Sequence, residues 1–300
     1  MRDGIIVAAP CKINLHLHIF DRRSDGFHDL ESVFQALSFG DVLRFDSLKR
    51  RSACDLLMEG PVPPEHNIIR KAVDAFRSRT GFDGGVRIEA EKRVPLGAGL
   101  GGGSSDAAST LLALDSMAGT GLGAEGLAPI AEALGSDVPF FLYGGTALVG
   151  GRGERVEPVE SVVNYAVVLV NPGFRSDTGA AFSALDRLRA SSSAGIAVPL
   201  GGAALAAALR LPVGSWPFSN DFLSVLTSVA GEEAGVYARM LAALKDAGAD
   251  FASLSGSGST CFGVFSDPEK AEWAAKKLSV AWKFVQKALP LARSGDAGLE

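Results

Sequence analysis

The chain of 300 residues has only three cysteines and little excess charge of either sign, with a net charge of −5. A small, odd number of cysteines does not build a disulfide framework and predicts a reducing compartment. No apolar run reaches the roughly 18 residues of a transmembrane helix, and the N-terminus does not resemble a signal peptide. The charge balance offers no broad basic surface. We therefore expect a cytoplasmic protein without nucleic-acid or membrane partners.

Glycine, in contrast, is abundant, with 36 residues in the chain. Five of them lie between Gly97 and Gly103, shortly before a helix that the pattern predicts from Asp106 to Met117. Clustered glycine amides next to a helix N-terminus form an anion-binding site. A flexible linker is the usual alternative for a glycine-rich run. The position directly before a helix favours a phosphate-binding loop.

Two common phosphate-binding loops do not fit this segment. The spacing Gly97-x-Gly99-x-x-Gly102 matches the dinucleotide fingerprint, but the preceding predicted strand, Val86–Glu91, is charged at alternate positions. A dinucleotide-binding loop should follow a buried strand and precede an acidic residue at a later strand end. No lysine follows the last glycine, so the Walker pattern also fails. The segment requires a third kind of nucleotide loop.

Hydrophobic periodicity predicts a mixed α+β chain in two parts that meet near residue 160. A helix from Ile68 to Arg79 is expected, with Asn67 as its N-cap and Gly81 just beyond its end. A second glycine-rich loop, Ser255–Thr260, separates two predicted strands of the last third. The other predicted elements are the strands Lys12–Ile19 (half-buried), Val42–Phe45, Asp55–Met58, Thr146–Val149, Tyr165–Val170, Ala252–Leu254 and Cys261–Phe265, the helices Glu125–Leu134, Glu232–Ala247 and Pro268–Leu278, and a loop at Ser191–Gly202.

The segment Pro95–Ala108 resembles the ATP-binding motif of the GHMP kinase superfamily, which includes galactose, homoserine, mevalonate and phosphomevalonate kinases. Ala9–Leu15 and Ser255–Thr260 resemble the outer motifs of that superfamily. Arg22–Leu30 and Leu134–Phe140 are similar to one member, which phosphorylates a cytidine diphosphate sugar-alcohol in the methylerythritol phosphate route to isoprenoids. These motifs follow the order of the family from residue 9 to about residue 265.

The resemblance implies a two-lobed α+β fold with the active site in the cleft. The β-rich N-terminal lobe (1–160) would contain an element like ribosomal protein S5, and an α/β lobe (161–292) and a frayed tail (293–300) would follow. It also implies ATP and Mg²⁺ as cofactors, transfer of a phosphoryl group to the 2-hydroxyl of the sugar-alcohol, and a monomer or weak homodimer.

Site residues follow from the same resemblance. Asp137 would be the general base that takes the proton from the 2-hydroxyl, and Lys12 the cation that keeps Asp137 ionised. Ser105 is a candidate Mg²⁺ ligand. The ATP-binding residues would be Pro95, Leu96, Gly97, Ala98, Gly99, Leu100, Gly101, Gly102, Gly103, Ser104 and Ser105, and the substrate-binding residues Asn14, Phe27, His28, Phe34, Thr178 and Phe182.

Simpler interpretations of these residues remain open from the sequence alone. The two serines could cap the next helix, Asp137 could only form a turn, and Lys12 could lie on a solvated face. His16 and His18 do not predict zinc, since too few other histidines are available as ligands. At the level of function, the alternatives are another GHMP kinase, such as a homoserine or mevalonate kinase, and a non-catalytic nucleotide sensor.

Overall fold

The computed structural model describes residues 4–59, 66–191, 199–228 and 232–293, which contain two β-sheets covered by helices. In the first sheet, the long strand β2 pairs in antiparallel fashion with β1 along one edge and with β4 and β5 along the other. A parallel strand, β3, extends the sheet beyond β4, and β6 extends it beyond β5. The strands are β1 (Ile5–Arg22), β2 (His28–Leu48), β3 (Cys54–Met58), β4 (Gly85–Glu91), β5 (Thr146–Gly150) and β6 (Arg155–Val159).

The first sheet packs against the helices α1 (Ile68–Thr80), α2 (Gly102–Ala118), α3 (Gly123–Leu134) and α4 (Val138–Tyr143). Helix α1 begins as predicted, because Asn67 Oδ1 accepts the amide proton of Ile69 at 2.9 Å. Helix α2 begins four residues earlier than predicted, at Gly102. Glycine has low helix propensity and hides this start in the sequence. A Cβ atom on Gly102 would lie only 3.0 Å from the Val94 side chain, so glycine suits this close contact.

The second sheet contains four antiparallel strands in the order β10 (Phe284–Ala288), β7 (Ala166–Asn171), β9 (Cys261–Phe265) and β8 (Phe251–Leu254). The helices of this half are α5 (Thr178–Ser191), α6 (Gly202–Ala208), α7 (Asp221–Ser228), α8 (Glu232–Asp246) and α9 (Pro268–Leu278). Asp267 caps α9 by accepting the amide proton of Glu269 at 2.9 Å. No helix in the described ranges is both long enough and apolar enough to cross a membrane.

An apolar core between the two sheets joins the two halves of the chain. It includes Ile13 and Leu15 of β1, Leu169 of β7 and Phe262 of β9. Strand β1 also contacts α2 and α7. The prediction that Lys12–Ile19 is half-buried was therefore wrong, because both faces of this strand are covered. Its polar residues Lys12, Asn14, His16 and His18 are buried.

Several elements were missing from the sequence prediction. They are the first half of β2, the strands β6 and β10, and the helices α4, α5, α6 and α7. The first half of β2 is mostly covered on both faces and lacks the simple alternation of a half-exposed strand. Of the predicted loop Ser191–Gly202, residues 192–198 lie outside the described residues. Ser191 ends α5 and Gly202 begins α6.

Candidate active site

A buried lysine and a partly exposed aspartate face each other where β1 meets the start of α4. Lys12 Nζ lies 3.4 Å from Asp137 Oδ2, and the side chain of Asp137 is 33% exposed. Lys12 itself is only 3% exposed. A buried ammonium group requires a charged partner. Asp137 supplies that partner and still presents carboxylate surface to solvent, where a ligand can reach it.

Asn14 holds this lysine from the same strand. Its Oδ1 accepts a hydrogen bond from Lys12 Nζ at 2.6 Å, and its Nδ2 donates to Ser32 Oγ at 3.1 Å. The Ser32 hydroxyl in turn donates to the carbonyl of His16. The phenyl ring of Phe34 lies beneath the ammonium group, with its centroid 4.4 Å from Nζ. Asn14 Oδ1 thus binds the Lys12 ammonium group, while Nδ2 anchors the Asn14 side chain to Ser32.

The two glycine-rich loops pack against each other. A Cβ atom on Gly99 would lie 2.1 Å from the carbonyl oxygen of Ser255, so only glycine fits at this contact. The Ser255 hydroxyl donates to the Gly99 carbonyl at 2.8 Å, and the Thr260 amide donates to the Ala98 carbonyl at 3.2 Å. The second loop therefore supports the backbone of the first.

Gly101 connects the first loop to α2 and to the lysine. It is the N-cap of α2 in the left-handed conformation, with φ of 70°. The next three amides, of Gly102, Gly103 and Ser104, belong to the first turn and have no partner within the helix. The Lys12 amide donates to the Leu100 carbonyl at 2.9 Å, which places these amides beside β1. A helix N-terminus with free amides favours an anion such as a phosphate.

Neither serine of the loop is the N-cap of α2, because that position belongs to Gly101. Ser104 is partly buried. Ser105 is fully buried, and its hydroxyl has no hydrogen-bond partner among the described residues. The helix-capping alternative is thus excluded for both serines, and Ser105 has an oxygen with unused bonding capacity.

Aromatic side chains lie at the turn between β1 and β2 and on the facing helices. The ring of Phe27 is 53% exposed. The guanidinium group of Arg152 lies over this ring, 4.9 Å from its centroid. The imidazole of His28 stacks on Phe182 with 5.1 Å between ring centroids. Phe182 in turn meets the ring of Phe222 edge-on at 4.9 Å.

A cavity of about 560 Å³ brings most of these groups together. Both predicted catalytic residues and all six predicted substrate-binding residues line it, namely Lys12, Asp137, Asn14, Phe27, His28, Phe34, Thr178 and Phe182. Gly99 and Gly101 border it from the first glycine loop. The other predicted ATP-binding residues do not line this cavity: Pro95, Leu96, Gly97, Ala98, Leu100, Gly102, Gly103, Ser104 and Ser105. The cavity thus corresponds to the acceptor side of the predicted site.

Two models of known protein families match parts of this chain. The model of the GHMP kinases N terminal domain matches residues 67–145, and that of the GHMP kinases C terminal domain matches residues 213–283. The chain belongs to the GHMP kinase family. The first matched range contains the glycine loop, α2 and Asp137, whereas Lys12 precedes it. The two matches lie on either side of the predicted domain boundary at residue 160, which stays a prediction.

Curated members of the GHMP kinase family resemble almost the whole chain. The 4-diphosphocytidyl-2-C-methyl-D-erythritol kinase of Treponema pallidum strain Nichols is 38% identical over 93% of this chain and 96% of its own length. The enzyme of the same name from Salinispora tropica is 40% identical over 91% of this chain and 87% of its own length. A crystal structure of 4-(cytidine 5'-diphospho)-2C-methyl-D-erythritol kinase superposes with a TM-score of 0.79 at 32% identity, covering 95% of this chain and 98% of that one.

More distant GHMP kinases share the fold alone. The homoserine kinase of Cytophaga hutchinsonii superposes with a TM-score of 0.71 at 19% identity, covering 98% of this chain and 96% of that one. The mevalonate kinase of L. major gives a TM-score of 0.68 at 14% identity and covers 97% of each chain. The predicted two-part α+β GHMP kinase fold is therefore confirmed.

Several residues of the cavity were not predicted from the sequence. Arg22, Arg152 and Asp186 line it, and they come from the end of β1, the turn after β5 and helix α5. Arg22 begins the motif Arg22–Leu30 but was not assigned to the site, whereas no local motif marks Arg152 or Asp186, because the fold alone brings their segments to the cavity. The Nδ1 atoms of His16 and His18 each contact another part of the protein. The His18 Nδ1 atom lies 3.0 Å from Asp221, and His16 Nδ1 accepts the Ser219 amide at 3.2 Å.

A buried charge cluster lies below the first turn of α2. Lys92 Nζ donates to Asp106 Oδ2 at 2.5 Å and also contacts Asp41. Asp41 Oδ1 accepts the amide of Val94 at 2.8 Å, which ties the cluster to the chain that leads into the glycine loop. One cation here faces two carboxylates. Burial, with a further contribution from Asp41, raises the pKa of Asp106 from 3.8 to about 7.

Stability should depend on pH through this cluster. Because the folded pKa of Asp106 exceeds its ordinary value, the folded protein keeps a proton that the unfolded chain loses. This contribution to the free energy of unfolding is complete below about pH 4 and is lost as the pH rises through 7. Urea unfolding from pH 4 to 8 should show wild type losing stability relative to Asp106→Asn. The exposed Asp74→Asn serves as control, and equal pH slopes for wild type and Asp106→Asn would contradict this expectation.

Proposed function

We propose that the protein is the ATP-dependent kinase that phosphorylates the 2-hydroxyl of 4-diphosphocytidyl-2-C-methyl-D-erythritol, giving the 2-phosphate and ADP. The observation that carries this proposal is that the same cavity is lined by the Lys12–Asp137 pair and by aromatic side chains. Curated relatives that are 38% and 40% identical over most of the chain have this activity in their names. A reaction of this kind belongs to isoprenoid precursor biosynthesis by the methylerythritol phosphate route.

Asp137 is the group that we assign to the acceptor hydroxyl. Phosphoryl transfer depends mainly on positioning and on stabilisation of charge. The exposed part of the Asp137 carboxylate orients the hydroxyl and accepts its proton, and the adjacent Lys12 ammonium group stabilises the negative charge that develops there. Asn14 supports this role indirectly by holding the lysine, since both of its polar atoms bond to the protein.

The first turn of α2 is the site that we assign to the phosphates of ATP. Its free amides lie next to Lys12 through the Leu100 carbonyl, so the transferred group would lie between the glycine loop and the acceptor. Mg²⁺, when bound, neutralises charge on the phosphate oxygens. The unpartnered hydroxyl of Ser105 fits a metal ligand by its chemistry, although the surrounding groups cover it in this structure.

Phe27 is the ring that we assign to stacking on the cytosine base, and its exposure allows a direct test. Base–aromatic stacking contributes about 1–3 kcal/mol, so Phe27→Ala should raise the acceptor KM roughly 5- to 150-fold and leave the ATP KM unchanged. Phe27→Tyr should be nearly silent, because stacking uses the face of the ring.

The control for Phe27 is Trp273→Ala, since Trp273 is equally exposed, at 55%, and lies outside the cavity. Melting curves should be close to wild type for both alanine variants. If Phe27→Ala instead lowered the melting temperature and affected both substrates in proportion, Phe27 would be a packing residue and not part of the base site.

The experiment that tests the proposed function is a coupled ADP-release assay with three acceptors. The protein should release ADP with 4-diphosphocytidyl-2-C-methyl-D-erythritol and not with homoserine or mevalonate. Turnover with homoserine or mevalonate alone would assign the protein to another GHMP kinase. ATP binding without turnover of any of the three would favour the nucleotide sensor.

A further inference from the structure

Asp186 is a carboxylate in the cavity to which no role has been given so far. It lies on α5, lines the cavity and is 33% exposed. Its Oδ1 lies 3.3 Å from His28 Nε2. Its second oxygen has no hydrogen-bond or ion-pair partner within the part of the chain that the structure describes. A partly exposed carboxylate oxygen in a ligand cavity can accept a hydrogen bond from that ligand.

The imidazole of His28, in contrast, has no free ring nitrogen for a ligand. Nδ1 lies 2.9 Å from the carbonyl oxygen of Phe20, and Nε2 faces Asp186. Both partners are oxygen acceptors, so each ring nitrogen already faces a group of the protein. One face of the ring is covered by Phe182. Asp186 is therefore the side chain next to His28 that keeps free hydrogen-bonding capacity toward the cavity.

The backbone around Asp186 is held firmly. Asp186 follows Phe182 by four residues, so the two side chains lie on the same face of α5. One turn further along, Arg189 donates to the carbonyl oxygens of Ile19 at 2.6 Å and of Phe20 at 3.1 Å. These bonds join α5 to the end of β1, where the turn that contains Phe27 begins. The Arg189 side chain thus holds α5, which carries Asp186, against the end of β1.

We propose that the free oxygen of Asp186 accepts a hydrogen bond from the exocyclic amino group of the cytosine, and that this contact makes the kinase selective for cytidine over uridine acceptors. This rests on the function proposed above. Carboxylates accept hydrogen bonds from the cytosine N4 amino group. Uracil has a carbonyl oxygen at the same position, which would face the carboxylate as a second acceptor. A site built around such a bond rejects the analogue that lacks the donor, because its own polar group is left unpaired.

The test compares wild type, Asp186→Asn and the control Arg187→Gln, whose side chain is exposed and outside the cavity. Each is assayed with the 4-diphosphocytidyl acceptor and with its uridine counterpart. We expect Asp186→Asn to lower kcat/KM for the cytidine acceptor roughly 10- to 100-fold and to leave the uridine acceptor unchanged or improved. The preference for cytidine should shrink by the same factor, and the ATP KM should not change. Arg187→Gln should keep the wild-type preference.

A second measurement separates this proposal from the proposed function. Binding of CMP and UMP by calorimetry needs no turnover, and Asp186→Asn should reduce the CMP preference there too. A preference for CMP over UMP that is unchanged in Asp186→Asn overturns the proposal. If Asp186→Asn and His28→Gln weaken the binding of CMP and UMP equally, Asp186 has a purely positioning role and the proposal also fails. If wild type phosphorylates neither acceptor but binds CMP in preference to UMP, and Asp186→Asn loses that preference, the proposed function fails and the assignment of Asp186 stands.

Discussion

Replacement of Asp137 by asparagine is expected to lower kcat by roughly 10²–10⁴-fold, the range typical of general acid–base assistance. Asparagine keeps the shape of the side chain but cannot take up the proton of the acceptor hydroxyl. It also removes the anion that lies 3.4 Å from the buried Lys12 ammonium. The KM for ATP should remain near wild type, because Asp137 lies on the acceptor side. Steady-state ADP release with each substrate varied in turn measures both effects.

Lys12→Ala tests the other member of the Lys12–Asp137 pair in the same assay. If the two residues act as a unit, the double variant should be little slower than either single variant. Glu132→Gln is a suitable control, since Glu132 is an exposed carboxylate on the preceding helix and lies outside the cavity. Near-normal turnover of Asp137→Asn would show that the carboxylate is not the base. Fully additive losses would show that Lys12 acts on the phosphoryl group independently of Asp137.

Local signals predicted the parts of the fold that depend on neighbouring residues. The bond from Asn67 to Ile69 and the left-handed Gly81, with φ of 72°, bound α1 as the sequence indicates. The glycine loop was also recognisable, because positive φ angles and free amides need glycine at fixed positions next to a helix. Such features require no knowledge of the rest of the molecule.

Contacts between distant segments account for the differences. Lys12 and Asn14 alternate with apolar residues and therefore suggest a water-exposed face, but contacts of β1 with α2 and α7 cover that face. The same packing buries the Ser105 hydroxyl at the start of α2. Asp186 enters the cavity from α5, more than 150 positions after His28, so no spacing in the sequence could reveal this pair.

Gly101→Val is the second change with a large expected effect, the loss of measurable ATP binding. A side chain there would meet Phe141 at 2.9 Å and Lys12 Cγ at 3.1 Å, and the left-handed backbone disfavours any β-branched residue. Valine should therefore shift the first turn of α2 and displace the lysine, so that both the phosphate site and the catalytic pair are altered. From the sequence we would expect the fold to survive the Gly101→Val change. The contacts with Phe141 and Lys12 indicate that the change also lowers the free energy of unfolding.

Gly119→Val isolates the contribution of backbone strain. Gly119 ends the same helix with φ of 65°, and a Cβ there would meet no atom within 4 Å. Each variant should lose about 1–2 kcal/mol of stability from the left-handed conformation, with a further loss in Gly101→Val from its contacts. Gly119→Val should nevertheless bind ATP as wild type does. Circular dichroism establishes that each variant is folded, and nucleotide titration then gives its affinity. A folded Gly101→Val that binds ATP undiminished would place the triphosphate away from this loop, whereas equal losses in both variants would trace the effect to a weakened helix α2.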